Sequence, residues 1–579
     1  MTTRFAKYSA LAAAIIVSIV AAMTIPAPGQ ASIAATPKPR LEEANRHVTF
    51  AKDVAPIFYS NCVQCHRPGD IAPMSLLSYK EARPWARSIR EMVATRQMPP
   101  WHADPRYGRF ANDKQLSLRE IDTVVAWVDQ GAAEGDPKDL PPVPAFVEGW
   151  EIGTPDVILS MSEPYQVPTG GPDQYVYFTI PTNFKEDKWI AAAEIHPGNK
   201  AVVHHVMAFV QPPAIAMLAR MAGGGGSGDG DSGVRSMYYK DGTLSRVRMD
   251  ARIIDDGCRD ASGGSSFGEV GAGKGTGMSL LSAYAPGKDI EVAEPGQARR
   301  IPAGSNIVFQ VHYSNFRGAM DKPESALSSI GLIFAKEPPA KMVVALGITN
   351  DYFKIPPGKP NHEVTACYTV DRDIQAIEYM PHMHLRGKDM RYEAIYPGGR
   401  RETLLWVPQY NFNWQAIYKL KEPVALPKGT KIVITAHFDN SERNKYNPDP
   451  AKAVRWGDPT YDEMMIGWLG YTVDPPKPNV AVTVDPAIYD RYAGEYSFSP
   501  KFKVRVVRSG DKLMAQVAGL PPVELIPESE TGFFIKALDA EVSFNKAAGG
   551  RVTGLTLDLS GLVLTANREA VSSVPSAGH

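Results

Sequence analysis

Residues 378–387 read EYMPHMHLRG, and His382 and His384 stand on either side of one methionine. In an extended strand the side chains at i and i+2 leave the same face, so both imidazoles can reach one ion. Two imidazoles do not complete a site, and three other stretches offer further ligands. In NKAVVHHVMAFV (199–210) His204 and His205 are adjacent, and a regular strand would aim them at opposite faces. If both serve one metal, one of them must sit on a bend or at a strand end. In IPAGSNIVFQVHYSN (301–315) Ile307, Phe309 and Val311 alternate with Val308, Gln310 and His312, a strand with a single imidazole. In GDPTYDEMMIGWLGYTV (457–473) Met464 and Met465 open another apolar strand, where methionine is ordinarily core.

A different chemistry sits near the N-terminus. NCVQCHRPG (61–69) places Cys62, Cys65 and His66 in the spacing of c-type haem attachment, two thiols for the vinyl groups and a histidine under the iron. A structural zinc site would want further Cys or His nearby, and a thioredoxin-like CxxC would want a βαβ setting. Upstream, Val54, Ile57 and Phe58 have helical spacing. Downstream, LSLREIDTVVAWVDQGAAEG (116–135) opens with Ser117 and Glu120 as a capping box. It carries a stripe of Ile121, Val124, Val125 and Val128 and stops at Gly131. These flanks resemble class I cytochromes c, whose sixth ligand is usually a loop methionine. By that resemblance Met98 in TRQMPPWHAD, stiffened by the prolines after it, is the axial candidate ahead of Met74 and His102.

The remaining composition bounds the protein class. A chain of 579 residues suits several domains, and 49 glycines with 49 prolines suit β-domains joined by turns. A formal net charge of −1 gives no electrostatic case for nucleic acid or an anionic membrane as partner. Arg4 and Lys7 precede an apolar run from Ala10 to Met23, followed by small residues at Gly29 and Ala31. This reads as a signal peptide over residues 1–31, cut after Ala31 or Ala34, and predicts a periplasmic or otherwise exported chain. No later apolar run is long enough to span a bilayer, so no membrane span is expected in the mature chain.

The order of the ligand stretches, HH then QVHY then HxH then DEM, resembles the copper type II, ascorbate-dependent monooxygenases, the family of dopamine β-monooxygenase and the peptidylglycine α-hydroxylating enzyme. The resemblance runs from about residue 150 to 475 and includes YAPG at Tyr284–Gly287. It implies one copper on His204, His205 and His312 that stores an electron, and a second on His382, His384 and Met464 where oxygen is activated. Two imidazoles with a thioether form a soft set that favours Cu(I). The resemblance also implies paired antiparallel β-sandwiches of jelly-roll character, with the two metals facing across a cleft. Two departures argue against peptide amidation: Met380 stands where amidating members carry an arginine, and Ile466 and Trp468 replace peptide-contacting residues. An apolar substrate pocket is the expectation that follows. The family's disulfide framework is absent, and only Cys258 and Cys367 remain beyond the haem motif.

The expected architecture is multidomain and mainly β. It comprises an all-α cytochrome c unit over 45–140, a first copper sandwich over 150–335 and a second over 336–475. A small β-barrel-like module follows over 485–570, with a packing or binding role. The Pro-rich DPKDLPPVPAF (136–146) is expected to tether the cytochrome unit without fixing it, and two glycine-rich stretches (222–234, 263–277) read as surface loops. The expected activity is hydroxylation of a C–H bond by O2 in a small-molecule substrate. Electrons would pass from an external donor through the haem. The rival expectation is a haem–copper electron-transfer or copper-binding protein that activates no oxygen.

Overall fold

The computed structural model describes residues 47–169, 173–216, 266–267, 278–285, 290–314, 322–350, 353–457, 459–499, 502–559 and 562–569. The signal-like N-terminus, residues 222–234, most of 263–277 and Cys258 lie outside the described residues. Cys62 and Cys65 are free thiols, and Cys367 is disulfide-bonded. Among the described residues no helix is long and apolar enough to cross a membrane.

The N-terminal part is helical. Ala55–Asn61, Ala86–Ala94 and Leu118–Asp129 are its main helices. The last opens on the expected capping box, in which Ser117 Oγ accepts from the Glu120 amide and the Glu120 carboxylate accepts from the Ser117 amide. Its buried face differs from the expected stripe: Ile121, Val124 and Trp127 are inside, while Val125 and Val128 are half-buried. The indole decides this, because it fills the space against Phe50 and Phe58 and its Nε1–H finds the Ala133 carbonyl at 2.9 Å.

The expectation of a loosely tethered helical unit is corrected. The segment after Met98 lies on the second half of the β-region. Trp101 packs edge-on against Phe110 and Tyr418. The Asp104 amide donates to Trp406 O, the Ala111 amide to Lys419 O and the Lys421 amide to Arg109 O, each at 2.8 Å. Backbone pairing with a strand edge holds this part of the helical unit against the β-region.

The β-region is a pair of sandwiches that share one long sheet. The path of that sheet runs Val157–Ser160, Ser329–Phe334, Lys188–His196, Gln297–Ile301, Lys341–Asn350, Met465–Val473, Ile374–Met383, Tyr418–Leu426. A four-stranded sheet of Gln174–Pro181, Asn306–Tyr313, Val203–Gln211 and Ser279–Tyr284 covers its first half. A second, of His362–Thr369, Lys431–Phe438, Gly387–Ile395 and Arg401–Val407, covers the other half. The halves are therefore not separate sandwiches: a short parallel pairing of Gln297 and Ala298 with Lys341 and Met342 runs the sheet through. Alternation places each core. In Asn306–Tyr313, Ile307, Phe309, Val311 and Tyr313 enter the first core, which leaves Gln310 and His312 on the opposite face. The C-terminal residues form a closed barrel of eight antiparallel strands from Gly494–Ser499 to Leu562–Arg568.

Candidate metal centre

The first histidine set is assembled by a β-bulge. Across the antiparallel pair of Val203–Gln211 and Asn306–Tyr313, His312 faces His205, but Tyr313 faces Val203. His204 is the extra residue, and the local kink turns its ring to the side of its neighbour. His204 Nδ1 and His205 Nδ1 come to 3.2 Å, and one ligand nitrogen from each of His204, His205 and His312 lies within 4.8 Å of the others. The bend that adjacent histidines require is thus present.

The protonation pattern suits a cation. His312 Nε2–H donates to Asp173 Oδ2 at 2.8 Å, which leaves the lone pair on Nδ1. That Nδ1 is buried and has no partner among the described residues. Tyr175 stacks on the same ring at 4.3 Å and fixes its plane. Burial lowers all three imidazole pKa values, His204 to about 3, so each is neutral near pH 7. An orphaned buried nitrogen beside two neutral imidazoles fits a bound metal.

The second set lies on neighbouring strands of the long sheet. His382 pairs with Ile466 and Met383 with Met465, and the next step of that register sets His384 opposite Met464. Each imidazole is held through its Nδ1–H: His382 by Gln415 Oε1 at 2.7 Å, His384 by the Asp462 carbonyl at 3.2 Å. Nε2 of each therefore carries the lone pair. Burial lowers His382 to about 4 and His384 well below the usual range.

Sequence reasoning missed the residues that hold this pair together. Glu463 is fully buried, and one of its oxygens accepts from the amides of both His384 (2.8 Å) and Met464 (3.2 Å). The other accepts from the Arg386 amide at 2.6 Å. Burial pushes the Glu463 carboxyl up to about 8, against the pull of the three amides and Arg386. The loop 408–417 was also missed. It supplies Gln415, Tyr410 and Phe412. The Tyr410 hydroxyl donates to Met383 O at 2.8 Å and accepts from the Met383 amide at 3.1 Å. Gly387 makes that approach possible, since a Cβ there would meet Met383 and Tyr410 side-chain atoms within 2.8 Å. The aromatic run QYNFNWQ (409–415) between two strands was the available signal.

Phe412 joins the two sets. It stacks on His204 at 5.3 Å and meets His384 edge-on at 5.8 Å, so those rings are no farther apart than the sum of these distances. The apolar residues expected to form a substrate pocket are packed instead. Met380 and Trp468, with Ala345, form a small core against Met207, Phe209 and Ile466, on the faces that carry His205 and His382.

The haem motif lies on the turn that follows Ala55–Asn61. The amides of Cys65 and His66 both donate to Cys62 O. His66 Nδ1–H donates to the Met74 carbonyl at 3.3 Å, which leaves its Nε2 lone pair for an axial bond. Two free thiols one turn apart and a histidine held in this tautomer fit a covalent haem. Met98 stands where the chain leaves for the second sandwich, and Met74 packs on the helical core. His196 (to Glu194) and His437 (to Asp389) are hydrogen-bonded strand histidines.

Residues 340–486 match the family of the copper type II ascorbate-dependent monooxygenases, C-terminal domain, and residues 478–569 match a domain family of unknown function, DUF3471. A curated relative, penicillin-binding protein 4* of Bacillus subtilis (strain 168), is 41% identical over 61 residues. That match spans 10% of this chain and 14% of the relative. Among solved structures, the infectious bursal disease virus VP2 subviral particle is 8% identical over 57% of this chain and 75% of that one, with a TM-score of 0.14. The Gx strain of the same virus gives 9% identity over 55% and 72%, with a TM-score of 0.15. Scores this low carry no argument about fold. The chain thus contains a domain like that of the copper monooxygenases, and its His204, His205 and His312 can hold a metal.

Proposed function

We propose that the protein is an exported dicopper monooxygenase that hydroxylates a C–H bond of a small apolar molecule, with electrons delivered by its own c-type haem. The observation that carries this reading is the pair of neutral, lone-pair-bearing histidine sets on either side of Phe412, one of them inside the region that matches the copper monooxygenase domain. Copper held by His382, His384 and Met464 would supply oxygen chemistry, and copper held by His204, His205 and His312 would store an electron.

This chain's residues do the rest. Asp173 and Tyr175 fix the His312 ring, while Gln415 and the Asp462 carbonyl keep Nε2 of the second pair bare. Glu463 sets the spacing of His384 and Met464. Met380, Trp468 and Phe209 pack as one apolar cluster on the face that carries His382. Hydroxylation consumes O2, two electrons and two protons, and yields the alcohol and water, so a reductant is required. A haem on Cys62, Cys65 and His66 would provide one-electron steps at the N-terminal unit. Asp70, four residues after His66, accepts a hydrogen bond from Lys200 at 3.0 Å at the entrance to the His204 strand, which supports transfer toward the three-histidine set.

The test uses the full copper-loaded chain with a reduced external donor. Oxygen uptake coupled to an oxygenated product is expected. Haem reoxidation by copper without any product from apolar substrates would favour the electron-transfer reading. Equal haem reoxidation with and without copper would remove the haem from the route.

A further inference from the structure

The eight-stranded C-terminal barrel is not filled by its own side chains. An open-mouthed cavity of about 460 Å³ lies within it. Natural interiors seldom hold voids much larger than a water molecule, and an apolar void about a third of this size takes one benzene. Eight strands give the diameter at which a barrel either packs solid or holds one small ligand. The wall is apolar: Val504, Val506, Leu525, Ile535, Val542 and Leu557 line it together with Phe498 and Phe502, and among the described residues no charged side chain does. The alternation is clean, since Lys503 and Arg505 flank Val504 and face solvent.

One end of the cavity is built by the first sandwich. Pro213, Ala216, Gly304 and Asn306 line it there, and Ala214 and Ile215 enter the barrel core. Arg300 locks the two parts together with a paired ion contact to Asp539 at 2.6 and 3.0 Å. Asn306 opens the strand that ends near His312, six residues on, which at the rise of a strand is about 20 Å. The cavity is therefore a separate chamber from the metal centre.

We propose that this barrel binds one uncharged aliphatic molecule, an alkyl or acyl chain, in a site distinct from the metal centre. A charged group would lose its hydration inside the wall with no partner to replace it. The inference stands whether or not the chain is an oxygenase.

The test is fluorescence titration of the full chain with the neutral apolar dye N-phenyl-1-naphthylamine, displaced by 1-decanol. One saturable site is expected. Ala515→Phe and Val506→Phe, which place a ring inside the barrel, should weaken dye binding at least tenfold with far-UV circular dichroism unchanged. Should either misfold, Val542→Ala provides the opposite change: a larger cavity should shift competition from 1-decanol toward the larger 1-tetradecanol several-fold. His312→Ala should leave the dye affinity as it is. No saturable dye binding would overturn the proposal. So would equal affinity in the ring-filled variants, no shift in Val542→Ala, or a loss of dye in His312→Ala that matches the loss expected for the barrel variants.

Discussion

Glu463→Gln isolates what the buried carboxyl does for the second metal set. The side chain accepts three backbone amides, two on one oxygen and one on the other. An amide of the same shape keeps one oxygen, and its best orientation turns that oxygen to His384 and Met464. Its NH2 then faces the Arg386 amide, donor against donor, and one buried N–H loses its partner. Such a loss costs about 1–3 kcal/mol. Because burial holds the carboxyl near 8, at pH 7 the substitution removes an acceptor more than a charge. If the cost falls on the geometry of His384 relative to Met464, copper affinity should drop about 10–100-fold, the usual range for residues that orient ligands. The assay is Cu(I) competition against a chromophoric chelator in a His312→Ala background, where only the second set remains. In the parent background the three-histidine site should keep its affinity and serve as the internal control. Unchanged Cu(I) affinity in a folded variant would refute the assignment, and so would an equal loss at both sites, which would mark a general loosening.

The remaining expectations are separable. His312→Ala should remove one copper of two, counted by elemental analysis, because the two sets stand on different strands on either side of Phe412. Met464→His should keep the second copper but abolish product, since a harder ligand alters a soft Cu(I) site; full turnover would move the role to Met465. The copper-free protein should lose stability as pH falls below about 6.5. Its five site imidazoles have folded pKa values below the unfolded one, so the unfolded chain binds the extra protons, at about 1.4 kcal/mol per imidazole per pH unit. Glu463, shifted upward, opposes this as a single group. Thermal melts from pH 7.5 to 5 check it, and a flat profile would show that the imidazoles are not buried neutral. Lys200→Glu, which sets a carboxylate against the part-buried Asp70, should slow haem reoxidation by copper in stopped flow.

Period and spacing made much of this architecture readable. Ile307, Phe309 and Val311 against His312 announced a strand with one imidazole set apart from the core, and the structure keeps that division. Ser117 and Glu120 announced the helix start for a local reason, since a capping box involves residues only three apart. The adjacency of His204 and His205 demanded a bend, but the sequence could not say which residue would be extra. That depends on the partner strand, over 100 residues away, whose Tyr313 pairs with Val203.

What stayed hidden depends on contacts far apart in the chain. Glu463 sits beside the methionine and looks like an ordinary acidic residue before a strand. Only the register that sets His384 across from Met464 turns its two oxygens into a clasp for both backbones. Phe412 and Gln415 belong to a loop whose pattern shows no periodicity, and their role exists only because the shared sheet brings the two sandwiches face to face. The same continuity explains the misplaced substrate pocket. Met380 and Trp468 are apolar, as an open pocket at the second site would need, but the junction of Gln297 and Ala298 with Lys341 and Met342 brings Met207 and Phe209 onto them. On the proposed function, a substrate would reach His382 by displacing this packing or from the side of Phe412, whose loop is tied to the site through Tyr410 and Gln415. Phe412, which touches both His204 and His384, thus also borders the second histidine pair on that side.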